Sequence, residues 1–311
     1  TWHPEFIIVI APAFFCAPGS LVLRRLCGKR TKSWLHIQDF ELDAAFELGM
    51  LKGRWIQKMA QRWEQATLRS FDRVSTISEA MQNRVIAKGV RPPKTYLLPN
   101  WVDLNAIQPQ GPKLKRENPY RSELGIMNDV VVLLYSGSMN QKQGLQIIIK
   151  TIIELADVPN LLWILAGEGP TKTELAEATK GICNVKLLPL QPVDRMNDWL
   201  NLADVHLLPQ KANAADLVLP SKLLGMLASG RPVIASSPAD SELGRMVEQA
   251  GVRVEPGDWG DFAKAARQLA GDISLRDQLG ARGRKLAETF FERESILGNF
   301  EKEISDVTLK I

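Results

Sequence analysis

Leu217-Val218-Leu219-Pro220-Ser221-Lys222-Leu223-Leu224-Gly225-Met226-Leu227-Ala228-Ser229-Gly230-Arg231-Pro232-Val233-Ile234-Ala235-Ser236 reads as loop, short helix, turn and buried strand. Pro220 ends the loop, and Ser221 has the side chain of a helix N-cap. Leu223, Leu224 and Leu227 give the helix an apolar stripe. Gly230 stands where a left-handed residue stops a helix, Pro232 follows, and Val233-Ile234-Ala235 makes a short strand. Lys222 is the unusual residue. A cation in the first helical turn opposes the helix dipole. It makes sense where an anion lies in front of both, and phosphate is the usual anion at such a terminus. A solvated surface lysine is the plainer reading, so the weight rests on the surroundings.

The chain has 311 residues, 45% hydrophobic and 24% charged, with net charge +4. That is an ordinary globular composition with length for two domains. The charge is too small to argue for nucleic acid. Cys16, Cys27 and Cys183 are odd in number and widely spaced, which suits a reducing cytoplasm, and His3, His36 and His206 are scattered, so no metal site is read. Phe6 to Ala17 is apolar but too short to span a membrane, and no basic segment precedes it as in a signal peptide. Thr1 is not a start methionine and the chain opens into a strand, so an upstream piece is expected to be missing.

Strands are expected at Glu5 to Ile10, Ser33 to Ile37, Arg73 to Ile77 and Thr95 to Leu98, with helices at Pro18 to Cys27, Gly53 to Phe71 and Glu79 to Ala87, the last capped by Ser78. The second strand ends at His36-Ile37-Gln38-Asp39, a polar cluster where open α/β sheets place ligands. The helix Gly53 to Phe71 carries Trp55, Ile56, Met59 and Trp63 among Lys52, Arg54, Lys58 and Arg62. It fits an anionic membrane surface, or a helix packed on a sheet with its charges in water. Gln108 to Glu117 has linker composition. Beyond it apolar strands alternate with helices, as in a parallel sheet covered on both faces. Those strands are Val130 to Tyr135, Leu161 to Ala166, Val185 to Leu188, Asp204 to Leu208, Pro232 to Ala235 and Val252 to Val254, and the tail from Phe262 to Ser305 is helical.

The loops after these strands carry the polar signals. Gly137-Ser138-Met139-Asn140-Gln141-Lys142-Gln143-Gly144 offers two glycines for close backbone approach and a cation, yet it is neither a dinucleotide fingerprint nor a Walker loop. Gly167-Glu168-Gly169-Pro170 places one acid between glycines, with Pro170 suited to open a helix. Glu168 suits a ligand contact or helix-start electrostatics equally. Leu188-Pro189-Leu190-Gln191-Pro192 offers an apolar wall for a planar base, or a tight turn.

In this order the segments resemble the C-terminal domain of GT-B glycosyltransferases, in the large retaining family of bacterial sugar transferases that includes the colanic-acid and capsule enzymes. Asp72-Arg73-Val74…Ile77-Ser78-Glu79 and Leu98-Pro99-Asn100-Trp101-Val102-Asp103 resemble motifs of its first domain. The resemblance implies an α/β GT-B fold, two Rossmann-like domains with parallel sheets facing a cleft, the first incomplete. The domains would be residues 1–110 (acceptor side), 111–290 (nucleotide-sugar binding) and a crossing-back helix in 291–311. It implies transfer, with retention, from a nucleotide-diphosphate sugar to a lipid-linked saccharide in cell-surface polysaccharide synthesis. No metal or cofactor is implied. The setting would be cytoplasmic, peripheral on the inner face of the plasma membrane.

Under the resemblance Lys142 and Lys222 stabilise the departing diphosphate, and His36 and Asp39 face the reacting sugar. Gly137, Ser138, Gln143, Gly144, Gly167, Glu168, Pro220, Ser221 and Leu223 hold the donor, and Pro189 and Leu190 meet its base. The sequence departs from the family at Ser138 and Gln143, where arginine and lysine are common, and at Leu217 and Gly225, where a pair of glutamates is common. A truncated nucleotide-binding homologue and a nucleotide-sugar epimerase are the alternatives. The epimerase needs a histidine at the sugar, and the second domain offers only His206, inside a strand.

Overall fold

A computed structural model describes residues 4–11, 16–28, 30–40, 53–211 and 219–309. The chain forms two compact units, Thr1–Asn100 with Glu294–Ile311, and Trp101–Arg293.

The first unit holds a parallel sheet in the order β1-β2-β3-β4, formed by Phe6–Ala11, Lys32–Ile37, Arg73–Thr76 and Thr95–Leu97. Its helices among the described residues include α1 (Cys16–Cys27), α2 (Arg54–Ser70) and α3 (Glu79–Ala87). Ser78 caps α3 by accepting the Met81 N–H at 3.2 Å. Asp72 ties β2 to the turn before β3, accepting from the Ser33 N–H at 2.9 Å and pairing with Arg24 at 3.2 Å. Trp34 is the centre of the core. The chain's last helix, Arg293–Leu309, joins this unit, with Phe300 edge-on to Trp34 at 5.0 Å.

The second unit starts at Trp101, earlier than the proline- and glycine-rich stretch at 108–117. That stretch is bound into it rather than linking domains. The Gln108 and Gln110 N–H groups reach the Asn197 and Asn201 side-chain oxygens at 2.9 Å, and Pro112–Arg116 forms a short helix, α4. Six parallel strands follow, β5 (Val131–Ser136), β6 (Leu161–Ala166), β7 (Val185–Leu188), β8 (Val205–Leu208), β9 (Val233–Ser236) and β10 (Gly251–Val254). Their order is β10-β9-β8-β5-β6-β7.

Between and after the strands run α5 (Pro119–Glu123), α6 (Gln146–Glu154), α7 (Lys172–Ala178), α8 (Met196–Leu202), α9 (Ser221–Ala228), α10 (Glu242–Ala250), α11 (Trp259–Gly271) and α12 (Ile273–Phe290); the last helix, already described, is α13. The central strands β5, β6, β8 and β9 are covered on both faces, which is why they are mostly apolar. On β5, Leu133 and Tyr135 enter one core with Trp163 and Phe262, while Val132 and Leu134 enter another with Tyr120 and Trp199. Among the described residues no helix is long and apolar enough to cross a membrane.

Candidate functional site

The six-stranded sheet switches direction at β5. From it the chain runs outward to β6 and β7, then returns to β8 on the other flank. Strands β6 and β8 lie on opposite flanks of β5, and such a switch point is where open α/β sheets take ligands. Gly137 follows β5, and the segment leading to Lys222 follows β8.

Two loops are locked together at this edge. The Gly137 N–H donates to the Ala166 carbonyl at 2.9 Å and the Met139 N–H to the Glu168 carbonyl at 2.8 Å. A Cβ on Gly167 would fall 1.9 Å from the Gly137 carbonyl oxygen, so only glycine permits the contact. Gly137 itself has φ +142°, which side-chain-bearing residues avoid. Thr171 donates its hydroxyl to the Met139 carbonyl at 2.8 Å. The two glycines therefore bring the loops close to one another. Helix α7 opens at Lys172 after Thr171, one turn position beyond what Pro170 alone suggests.

Helix α9 delivers Lys222. Its N-cap is Pro220, with no side-chain cap, so Ser221 is the first helical residue rather than the cap. Proline's fixed φ suits it to end the loop, and its carbonyl takes the Leu223 N–H at 2.9 Å. Leu223 is wholly buried in the core with that N–H engaged, which leaves it nothing to offer a ligand. Ser221 is exposed. An uncapped first turn keeps N–H groups for an outside acceptor.

The Lys222 side chain crosses to the β5 loop. Its Nζ donates to Gln143 Oε1 at 2.9 Å and lies 4.6 Å over the Tyr135 ring. A Cβ on Gly137 would stand 3.6 Å from the same nitrogen. No carboxylate among the described residues pairs with it. Burial draws its pKa down to about 8. The ring quadrupole and one amide oxygen partly replace water around the ammonium. Tyr135 is fully buried, which pushes its phenol up, and its hydroxyl donates to the Ser138 carbonyl at 2.5 Å.

Gly137, Ser138, Gln143, Gly167 and Lys222 thus share one edge. Lys142 lies on a one-turn 3-10 helix, Gln141–Gln143, capped by Asn140 and followed by Gly144 at φ +65°. Its side chain is exposed and makes no hydrogen bond or ion pair among the described residues. Glu168 is exposed and pairs with Lys172 at 2.6 Å. Pro189 and Leu190 are exposed beyond β7. Gly225 packs against α8, where a Cβ would meet Leu200 Cδ1 at 3.1 Å. Leu217 lies outside the described residues.

His36 and Asp39 belong to the first unit. Burial holds the His36 pKa at about 4. A neutral ring protonated at Nδ1 satisfies its neighbours: Nδ1–H donates to Ser75 Oγ at 2.9 Å, and Gln38 Nε2 donates to Nε2 at 2.7 Å. Ser75 Oγ also accepts from Trp34 Nε1 at 2.7 Å. Asp39 is half-buried. His206 is buried inside β8, 3.2 Å from Ser229 Oγ, and serves the core. Reading the sequence missed Tyr135, whose signal was a hydroxyl-bearing ring near the end of an aliphatic strand. It missed Thr171, which carried none.

Residues 130–272 match the family described as glycosyl transferases group 1, and residues 2–101 match the glycosyl transferase 4-like domain. WcaI of Escherichia coli K12, whose name places it in colanic acid biosynthesis as a glycosyl transferase, is 35% identical, covering 97% of this chain and 74% of its own. Among solved structures, a sucrose-phosphate synthase from Thermosynechococcus elongatus has a TM-score of 0.77 at 17% identity, covering 99% of this chain and 74% of that one. Anabaena Alr3699/HepE, solved in complex with UDP-glucose, has a TM-score of 0.74 at 18% identity, covering 96% and 78%. The two parallel sheets are those of the GT-B fold. The extent and identity of the match to WcaI, with both domain models met in order, make this chain a member of the group 1 glycosyltransferases.

Proposed function

We propose that the enzyme moves a sugar from a nucleotide-diphosphate sugar to a lipid-linked saccharide, with retention, in cell-surface polysaccharide synthesis. The observation that carries the donor half is Lys222, a desolvated cation whose partners among the described residues are neutral, on an uncapped helix terminus beside the Gly137 turn. Such a place lacks an anion, and a diphosphate supplies one. As the bond from the sugar to the diphosphate breaks, negative charge grows on the leaving oxygen, and a preset cation stabilises it. With retention the acceptor hydroxyl attacks from the side that the diphosphate leaves, and a phosphate oxygen takes its proton. Lys142 is the second diphosphate cation and Glu168 the second donor contact in this reading. His36, neutral, and Asp39 face the reacting sugar.

The acceptor half rests on the likeness to WcaI and on α2, which presents Trp55, Met59 and Trp63 outward with Lys58 and Arg62. This suits an anionic membrane surface at the inner face of the plasma membrane. The test is the Lys222→Ala enzyme. One charge-assisted contact is worth about 1.5–3 kcal/mol, so turnover of a nucleotide sugar should fall by about ten- to hundredfold or more while the thermal melt is retained. Wild-type turnover in that variant overturns the assignment.

A further inference from the structure

At the opposite end of the second unit's sheet, where β8 and β9 begin, lies a cavity of about 750 Å³ walled by α4 and α12. Its volume is that of a small-molecule site. None of the residues assigned to the donor lines it.

Seven lysine and arginine side chains line it against three carboxylates. Asp204, at 3% exposure, is already committed: it accepts from Arg121 at 3.0 Å and from the Val132 N–H at 2.9 Å, and it also pairs with Lys115. Glu288 is taken by Arg284 at 2.7 Å. Arg231 donates one Nη2 bond to the Gln110 carbonyl at 2.7 Å, but its Nε is buried without an acceptor, as is that of Arg121. At the rim, the Arg116 and Lys285 side chains are exposed and make no hydrogen bond or ion pair among the described residues. Cations outnumber carboxylates seven to three at this concavity, and the Arg116 and Lys285 side chains open onto it with no acceptor among the described residues, which points to an anion from outside. Pro109, Pro112, Pro232 and Ile273 supply flat apolar walls beside this charge, suited to a ring.

We infer that this cavity binds a phosphorylated small molecule between a sugar phosphate and a mononucleotide in size, separately from the donor. Phosphate oxygens match the arginine forks, and the prolines take the ring.

The test is calorimetric titration of the full chain with glucose 6-phosphate and with AMP at low salt. At least one probe should bind the wild type with a Kd below about 1 mM. The R116E/K285E variant changes only unpaired rim side chains, so it should keep its melting temperature and bind the probe at least about tenfold more weakly. Lys222→Ala should bind it within about twofold of wild type. Two results overturn the inference. One is loss of binding in Lys222→Ala with full binding in R116E/K285E, which sends the phosphate to the donor edge. The other is no binding of either probe by the wild type.

Discussion

Among the described residues Lys222 is held by neutral partners, and that sets how its edge of the sheet responds to pH. Its pKa in the folded protein is about 8, below the ordinary 10.5, because burial disfavours the ammonium. Between these values the unfolded chain holds more protons than the folded one, so this lysine weakens the fold below pH 8, and the penalty is relieved as pH rises through that window. A bound anion works the other way, restoring the charge and raising the pKa. Binding of a nucleoside diphosphate at pH 8.5 should therefore draw protons from the buffer, and affinity should fall as pH is raised from about 8. Calorimetry with UDP and GDP in two buffers of different ionisation enthalpy reads this directly. The binding enthalpy should differ between buffers for the wild type and coincide for Lys222→Met. Equal wild-type enthalpies in the two buffers would remove Lys222 from the phosphate site. Lys222 stood out in the sequence because a first-turn cation breaks a local rule. Its bed could not be seen there, since Tyr135 and Gln143 meet it only when β5 and β8 are neighbours.

Single elements differ in how much of them the chain reveals. Strand β6 runs over Leu161–Ala166, the bounds that its unbroken apolar run suggests, and β7 keeps the expected Val185–Leu188 although Lys186 interrupts its apolar run. The helix α2 is legible as a helix but not in its orientation. Its tryptophans rank as core by hydropathy, yet Trp55 is 72% and Trp63 41% exposed, while Glu64, Thr67 and Leu68 are buried. A buried glutamate is tolerable because Lys88 of another segment pairs with it, and no local pattern announces that partner. Trp55, Met59 and Trp63 recur at a spacing of four and lie on one face, with Lys58 and Arg62 beside them. Aromatic rings at the headgroup level and about 1 kcal/mol per nearby cation on an anionic surface would hold such a face to a membrane. The double variant Trp55→Glu, Met59→Glu should lose flotation with anionic vesicles by about 100-fold in partition while melting like the wild type, because both side chains are more than half exposed. Undiminished flotation would place the membrane contact elsewhere or nowhere.

At the scale of the whole molecule, covalent order and structural order part company at the C-terminus. Regular alternation of apolar strands and helices carries the parallel-sheet architecture, and it is readable because the central strands of the second sheet are buried on both faces. The division of the chain is less readable, since Asn197 and Asn201 capture the Gln108–Gln110 backbone and make a proline- and glycine-rich stretch part of the second unit. The last helix is the larger consequence. Its residues from Glu294 onward belong to the first unit, so the first four strands depend on the far end of the chain. Phe300 packs edge-on against Trp34 at 5.0 Å and lies 6.4 Å from Tyr96, and Glu303 holds Arg73 at 2.8 Å. Trp34 is fully buried, so removing Phe300 opens a gap beside the centre of that core. Phe300 is itself only half-buried, so Phe300→Ala should cost about 2 kcal/mol, less than the 3–5 of a fully buried phenylalanine. The loss should be confined to one unit, because each has its own core. Hydrogen exchange read by mass spectrometry should show faster exchange in β1 to β4, by about 30-fold where exchange needs the unit to open. Protection of β5 to β10 should stay unchanged. Equal loss of protection in both sheets would mean that the two units open as one, and that α13 serves the molecule rather than the first sheet.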